Sequence, residues 1–189
     1  VKELPKNFGL KRLKGALGVV EGRRTAIDIG AHKGIWTNAL MDEFESVHSF
    51  EPIGENFSTL KKINPNSYQV ALGEKIGVVG FLPGDNTGMW HITDNCLLTQ
   101  KICKMDTLDA YKIEDVDFIK IDVEGYELHV LEGSKKTIKK YKPDILLEEN
   151  GLCERYGVTH DNIWGYMTSI GYENVNNWQA DYLWSSTKN

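Results

Sequence analysis

A chain of 189 residues is long enough for one sizeable core and too short for two ordinary domains. Its 41% hydrophobic and 26% charged residues are those of a soluble globular protein. No apolar run reaches the roughly 20 residues a membrane helix needs, no secretory signal pattern opens it, and a net charge of -5 gives no general pull toward nucleic acid. A single cytoplasmic domain over residues 1–189 is the expectation.

Lys2, Lys6, Lys11, Arg12, Lys14, Arg23 and Arg24 crowd the first 24 residues. This basic N-terminal arm reads as a solvated helix face and a charged approach to the first strand; the sharper alternative is an arm over the active site or an anionic substrate. Residues 25–29 read as a buried strand, and Ile35, Trp36, Ala39, Leu40 and Phe44 then recur at helical spacing. Residues 46–50 form a second strand. Phe57, Leu60 and Ile63 mark a helix that stops before Pro65, and residues 68–72 form a third strand. From 73 to 109 the rhythm breaks into short β-like pieces (78–82, 90–93 and 101–105) between Gly, Pro, Asp and Asn turns. This region is expected to be an inserted hairpin or two on the substrate side. Alternation resumes with a strand at 116–123, helical stretches at 126–131 and 135–141, and a strand at 144–148. Thr159 can cap a helix that runs to about Ile170 and stops at Gly171. Residues 172–176 and 181–185 look like two strands joined by a turn, hence an antiparallel edge. The alternation predicts an α/β fold, a sheet with helices on both faces.

The first strand runs into Asp28-Ile29-Gly30-Ala31-His32-Lys33-Gly34. A strand that turns sharply into a helix aims free backbone N–H groups at one spot, and glycines let a ligand approach the backbone. Asp28 precedes the glycines, where it could hold the loop or receive an ammonium group. The second strand ends in Phe50-Glu51-Pro52, and an acid there can take both hydroxyls of an adenosine ribose. A dinucleotide loop wants Gly-x-Gly-x-x-Gly for its pyrophosphate. Here that pair is missing and an acid stands before the first glycine. The pattern therefore suits S-adenosylmethionine, which has an amino group and no phosphate, better than NAD.

The segment Val116-Asp-Phe-Ile-Lys-Ile-Asp-Val-Glu-Gly-Tyr-Glu-Leu128 is the most specific. Phe118, Lys120 and Asp122 share one face of a strand, with Glu124 expected to follow. A lysine inside a central strand needs a buried partner. Asp122 and a carboxylate from Asp28 or Glu148 are the natural ones, so Lys120 should stabilise a carboxylate cluster at the C-terminal end of the sheet.

Ile27 to Gly34, Phe50-Glu51-Pro52, Val70-Ala-Leu-Gly73, Phe118-Ile-Lys-Ile-Asp-Val-Glu-Gly125, Lys142-Pro-Asp-Ile-Leu-Leu-Glu148 and Ser169-Ile-Gly-Tyr172 together resemble the FkbM-type methyltransferases over about residues 25–175. The resemblance implies a class I (Rossmann-like) methyltransferase fold, a doubly wound seven-stranded sheet with one antiparallel edge strand. It also implies methyl transfer to an oxygen of a sugar, glycoside or small natural product. Carried over by position, Asp28, Gly30, Ala31, His32 and Gly34 would surround the methionine part of S-adenosylmethionine. Glu51 would bind the ribose, and Pro52 and Ile53 would lie against the adenine. Where this family commonly carries Asn, the chain has His32. The third strand ends in Ala71-Leu72 without an adjacent acid, so adenine would be read by backbone groups there.

Hydroxyl methylation needs oxygen, carbon and sulfur in line and a proton acceptor. Asp122 and Glu124 are the first candidates, with Lys120 supporting them. Asp122 could equally position the cofactor, and Glu124 could instead cap the following helix. A magnesium site from Asp122, Glu149 and Asn150 is the less favoured variant; the working expectation is no metal. Trp90, His91 and Asn95 in the insertion are placed to choose the acceptor, whereas Trp178 and Trp184 read as core. Cys96, Cys103 and Cys153 form no Cys-x-x-Cys, and the five histidines show no metal-ligand spacing, as in a reducing compartment. Nucleic-acid and protein methylation on the same fold, and a non-catalytic cofactor-binding module, are the rival readings.

Overall fold

The computed structural model describes residues 8–83, 90–93, 99 and 101–187; Lys2, Lys6, Asn95 and Cys96 lie outside the described residues. In chain order the first elements are α1 (Phe8–Leu17), β1 (Thr25–Ile29), α2 (Ile35–Met41), β2 (Ser46–Phe50), α3 (Gly54–Ile63), β3 (Ser67–Tyr68) and β4 (Ala71–Leu72). The inserted region supplies β5 (Gly77–Leu82), β6 (His91–Thr93) and β7 (Lys101–Asp106). Then follow β8 (Val116–Ile121), α4 (Glu127–Glu132), α5 (Lys135–Tyr141), β9 (Asp144–Glu148), α6 (His160–Ser169), β10 (Tyr172–Trp178) and β11 (Asp181–Ser186).

The main sheet has seven strands in the order β3, β2, β1, β8, β9, β11, β10. β1 pairs parallel with β2 and β8, β8 with β9, and β2 with β3, while β11 is antiparallel to both β9 and β10. The reversed strand thus lies one place in from the edge. β1 is buried along its whole length because it is paired on both sides and covered on both faces. Ile27, Ile29, Ile119, Ile121, Ile145 and Leu147 face the layer of α4, α5 and α6, meeting Val130, Ile138 and Ile163. The alternate residues Ala26, Phe118, Leu146 and Leu183 face Leu13, Ala16 and Leu17 of α1 and Leu40 of α2. The N-terminal stretch that looked like an arm is therefore, from α1 onward, one wall of the core. Trp184, at 1% exposure, is also core.

Local signals hold at several ends. Thr159 accepts the N–H of Asn162, whose side chain in turn accepts from the Thr159 N–H, a reciprocal cap that starts α6. The sequence reading of a single strand over 68–72 is corrected. β3 makes only the pairs Ser49–Ser67 and Phe50–Tyr68. The chain then leaves the main sheet at Gln69, and β4 pairs parallel with β7 instead. Nor is the insertion a pair of separate hairpins: β4, β7, β5 and β6 form one four-stranded sheet in that order. Its inner face, Val79, Phe81, Ile92 and Met105, packs with Ile53, Ala71 and Tyr126 into a satellite core. The strand expected to reach residue 123 ends at Ile121, where the chain turns.

Gly133, between α4 and α5, lies tightly against the chain that follows β4. A Cβ there would sit 1.9 Å from the carbonyl oxygen of Gly73, the residue that opens the insertion. Backbone cannot yield as a side-chain tip can. We predict that Gly133→Ala lowers the unfolding free energy by about 1–3 kcal/mol, read from the shift of a chemical-denaturation midpoint; an unchanged midpoint would refute the close approach.

Candidate active site

The glycine loop is stitched to the corner after β2. The N–H groups of Gly30 and Ala31 both donate to the Phe50 carbonyl at 3.0 Å. The His32 N–H donates to Glu51 Oε2 at 2.9 Å, and Glu51 Oε1 accepts the Ile53 N–H at 2.9 Å and the Asn56 amide at 3.3 Å. Gly30 has φ +76° and lies so close to β8 that a Cβ would meet the Asp122 carbonyl oxygen at 1.8 Å. His32 has φ 50°, a left-handed conformation that Asn and His adopt more readily than most residues. That is a physical reason why His can stand where the resembled family has Asn. Burial pushes the Glu51 carboxyl up, opposed by its bonds to Ile53, Asn56 and His32 and by the charge of Lys120.

Asp28 lies beneath this loop. It is fully buried, its Oδ2 accepts the Thr37 hydroxyl at 2.6 Å, and Thr37 shares a hydrogen bond with Ser49 at 3.1 Å. Its contacts run to α2 through Thr37 and to Lys120. Lys120 Nζ lies 3.4 Å from Asp28 Oδ1 and 3.2 Å from Asp122 Oδ2, and donates to the Gly30 carbonyl at 3.2 Å. Burial works against its charge, but Asp122 and Asp28 outweigh burial and raise its pKa.

These residues belong to a polar row across the sheet. On the face toward α1 and α2, the apolar layer gives way at the C-terminal end to Ser49 on β2, Asp28 on β1, Lys120 on β8, Glu148 on β9 and Asp181 on β11. Asp28 is in register with both Ser49 and Lys120. Ile121 pairs with Leu147, so the next pair along sets Asp122 beside Glu148, and Glu148 is in register with Asp181. Burial and the neighbouring charge of Asp122 push the Glu148 carboxyl well up from the usual carboxylate range. Asp181 makes an ion pair with Arg12 of α1.

After β8 the strand alternation stops at Asp122, because Glu124 takes φ 58°. Glu124 does not cap the following helix. Glu127 holds the turn itself: its Oε1 accepts the N–H groups of Val123 at 3.2 Å and Gly125 at 3.0 Å. Glu127 went unnoticed in the sequence because it reads as an ordinary helical Glu. Glu124 is left half-buried beside Asp122, and burial plus that charge push its carboxyl up to about 7.

A cleft of about 540 Å³ opens beside the β2 corner, lined by Pro52, Ile53, Gln69, Phe81, Lys101 and Cys103 among others. Pro52 and Ile53 were expected here; Gln69, Phe81, Lys101 and Cys103 were not, because only the second sheet brings β5 and β7 against that corner. The side chains of Ala71 and Leu72 pack into the satellite and main cores. Trp90 is half-buried with Lys101 Nζ 4.6 Å from its ring centre, and His91 pairs with Leu82 across β5 and β6. Glu149 turns to α6, where it meets His160 and the Trp164 indole N–H, while the Asn150 side chain binds Glu148 and the Leu152 N–H. Among the described residues, no group of three or more His, Cys, Asp or Glu side chains is placed to hold a metal ion, and no helix is long and apolar enough to cross a membrane.

Lys120→Met would strand the carboxylates of Asp28 and Asp122. We predict a loss of about 3–5 kcal/mol of stability near pH 8. An unchanged midpoint in denaturant titrations would mean that the ion pairs of Lys120 contribute nothing to stability.

The Methyltransferase FkbM domain matches residues 28–173, which include the glycine loop, Glu51 and the Lys120–Glu127 segment. A comparison with curated proteins finds no match. Among solved structures, methyltransferase FkbM from Methylobacillus flagellatus KT is 19% identical over 88% of this chain, with a TM-score of 0.58. This chain spans only 44% of that one. Precorrin-6y C5,15-methyltransferase from Geobacter metallireducens GS-15 is 12% identical, with 100% of this chain and 92% of that one covered and a TM-score of 0.55. TrmK from M. capricolum, in complex with S-adenosyl-homocysteine, is 12% identical over 94% of this chain and 68% of that one, with a TM-score of 0.51. At these identities the likeness speaks for the fold, the Rossmann-like sheet of class I methyltransferases. The match over residues 28–173 goes further: the chain belongs to the FkbM methyltransferase family.

Proposed function

We propose that this protein transfers the methyl group of S-adenosylmethionine to a hydroxyl of a sugar, glycoside or small natural product. The observation that carries the reading is the paired acids Asp122 and Glu124 at the turn after β8, next to the glycine loop. One of them is tied to Lys120 and the other is poised near neutrality.

The donor set suits the cofactor. The first-turn N–H groups of α2, which a helix cannot satisfy internally, face the side where a carboxylate would be held. Glu51 stands where ribose hydroxyls would meet it, and Pro52 and Ile53 offer an apolar edge to a flat ring. The acid-rich end of β8 suits a cation. S-adenosylmethionine supplies a methyl group on a positively charged sulfur. The chain must then orient an acceptor hydroxyl in line and take its proton. Glu124 would accept the proton of the acceptor hydroxyl as that oxygen takes the methyl group. A carboxyl with a pKa of about 7 is ionised in a useful fraction and basic enough to take it. Asp122, one-third exposed, faces the cationic end while Lys120 holds it in place. The insertion, through Trp90 and the cleft walls, would choose the acceptor, and a cytoplasmic site of action is part of the same proposal.

Calorimetric titration with S-adenosylmethionine and, separately, NAD tests the cofactor, and methyl transfer to a sugar and glycoside panel tests the acceptor. NAD binding without S-adenosylmethionine binding would refute the reading; cofactor binding with no transfer across a broad hydroxyl panel would favour a non-catalytic module. Glu51→Ala should weaken S-adenosylmethionine by about 1–3 kcal/mol, and an unchanged affinity would remove the ribose role. Glu124→Gln should lower kcat by about 10²- to 10⁴-fold with cofactor affinity retained; full activity would pass the proton to another group.

A further inference from the structure

Arg12 and Asp181 stand at the outer end of the polar row, and both lie outside the segment shared with the FkbM domain, residues 28–173. Asp181 has a side chain only 6% exposed and Arg12 one 21% exposed. Such a carboxylate is strongly disfavoured unless a cation meets it. Next to it across the sheet is Glu148, and beyond Glu148 is Asp122. Three carboxyls on neighbouring strands cannot all ionise side by side without cations between them. Lys120 supplies one at the inner end. The other comes from α1.

We propose that Arg12 is a positioning residue for the carboxyl pair Asp122–Glu148: from α1 it neutralises Asp181, the buried anion in register with Glu148, so that the pair faces Lys120 without a second fixed negative charge at its back. This rests on reading the site as that of a methyltransferase, where the charge at the end of β8 meets the cationic end of the cofactor. The other charged groups around the pair are Asp28 from β1, Glu124 from the turn, Glu127 from α4 and Arg155, which draws on Glu124. The basic residues near the N-terminus thus include one with a specific partner across the sheet. Arg24, by contrast, pairs with Asp115 and Asp117 at the surface.

The test is a carboxyl-carbon NMR titration of the ligand-free full chain, following Glu148 in wild type, Arg12→Gln, Arg12→Lys and Asp181→Asn. Removing the cation should move the Glu148 midpoint up by about one pH unit, and removing the anion should move it down by a similar amount. Arg12→Lys and the double variant Arg12→Gln/Asp181→Asn should lie near wild type. In parallel, S-adenosylmethionine and S-adenosylhomocysteine are titrated calorimetrically over the same pH range. The midpoint of the pH-dependent change in S-adenosylmethionine affinity should move with Glu148, and the uncharged thioether should show a smaller dependence. A Glu148 midpoint unmoved in both Arg12→Gln and Asp181→Asn, or moved in the same direction in both, overturns the assignment. If Arg12→Gln does not fold, the near-isosteric Asp181→Asn decides by itself. Failure of the wild-type chain to bind S-adenosylmethionine would overturn the methyltransferase reading instead, whatever the NMR titration shows.

Discussion

The buried ammonium of Lys120 organises this molecule. An unpaired charge at that depth would be disfavoured by several kcal/mol, so the sheet must bring carboxylates to it. Asp28 comes from the neighbouring strand and Asp122 from two residues further along its own. The same amine also holds the Gly30 carbonyl. Three parts of the site are thus drawn to one point: the end of β1, the glycine loop above it and the turn after β8. Asp28 passes the constraint on through Thr37 to Ser49 and β2. Glu51, on the other side of the loop, secures the His32 and Ile53 N–H groups. The loop is held at both ends before any ligand arrives, which is the pre-organisation a binding site needs.

The second sheet adds a feature that the main sheet could not provide. Its inner face packs on Ile53 and Tyr126, so it touches both the corner after β2 and the turn after β8. Tyr126 donates to Glu74 at 3.2 Å and Tyr156 to the Ile92 carbonyl at 3.2 Å. The insertion is therefore bonded to the elements that carry Glu51 and Glu124 rather than hung beside them.

Much of this was legible beforehand, and the physical reason differs by element. The central strands β1, β8 and β9 are runs of β-branched and apolar residues, which only a strand covered on both faces accommodates. Lys120 announced its cluster because a charge in such a strand requires partners. The α6 cap was visible in Thr159 and Asn162, since capping is a local interaction. The failures are all non-local. Residues 68–72 carry one continuous strand-like pattern, yet β2 offers only two partners before β7 competes for the rest. Glu124 and Glu127 are equivalent as letters; the positive φ at Glu124 decided which of them reaches back to the turn. Arg12 looked like one of seven basic residues in a charged arm, because the sequence does not show that Asp181, 169 positions away, lies opposite it.

By itself, then, the sequence determined the alternation of strands and helices, the family, the loop-and-acid pattern of a nucleoside-like cofactor and the need for carboxylates around Lys120. The family follows from the resemblance of its motifs, the rest from residue type, period and short-range chemistry. Only the tertiary structure decided that Asp28 faces inward, that β4 leaves for a second sheet, that β5 and β7 wall the cleft and that Arg12 closes the polar row. Those outcomes depend on strand order and register, which bring residues far apart in the chain to one end of one face of the sheet.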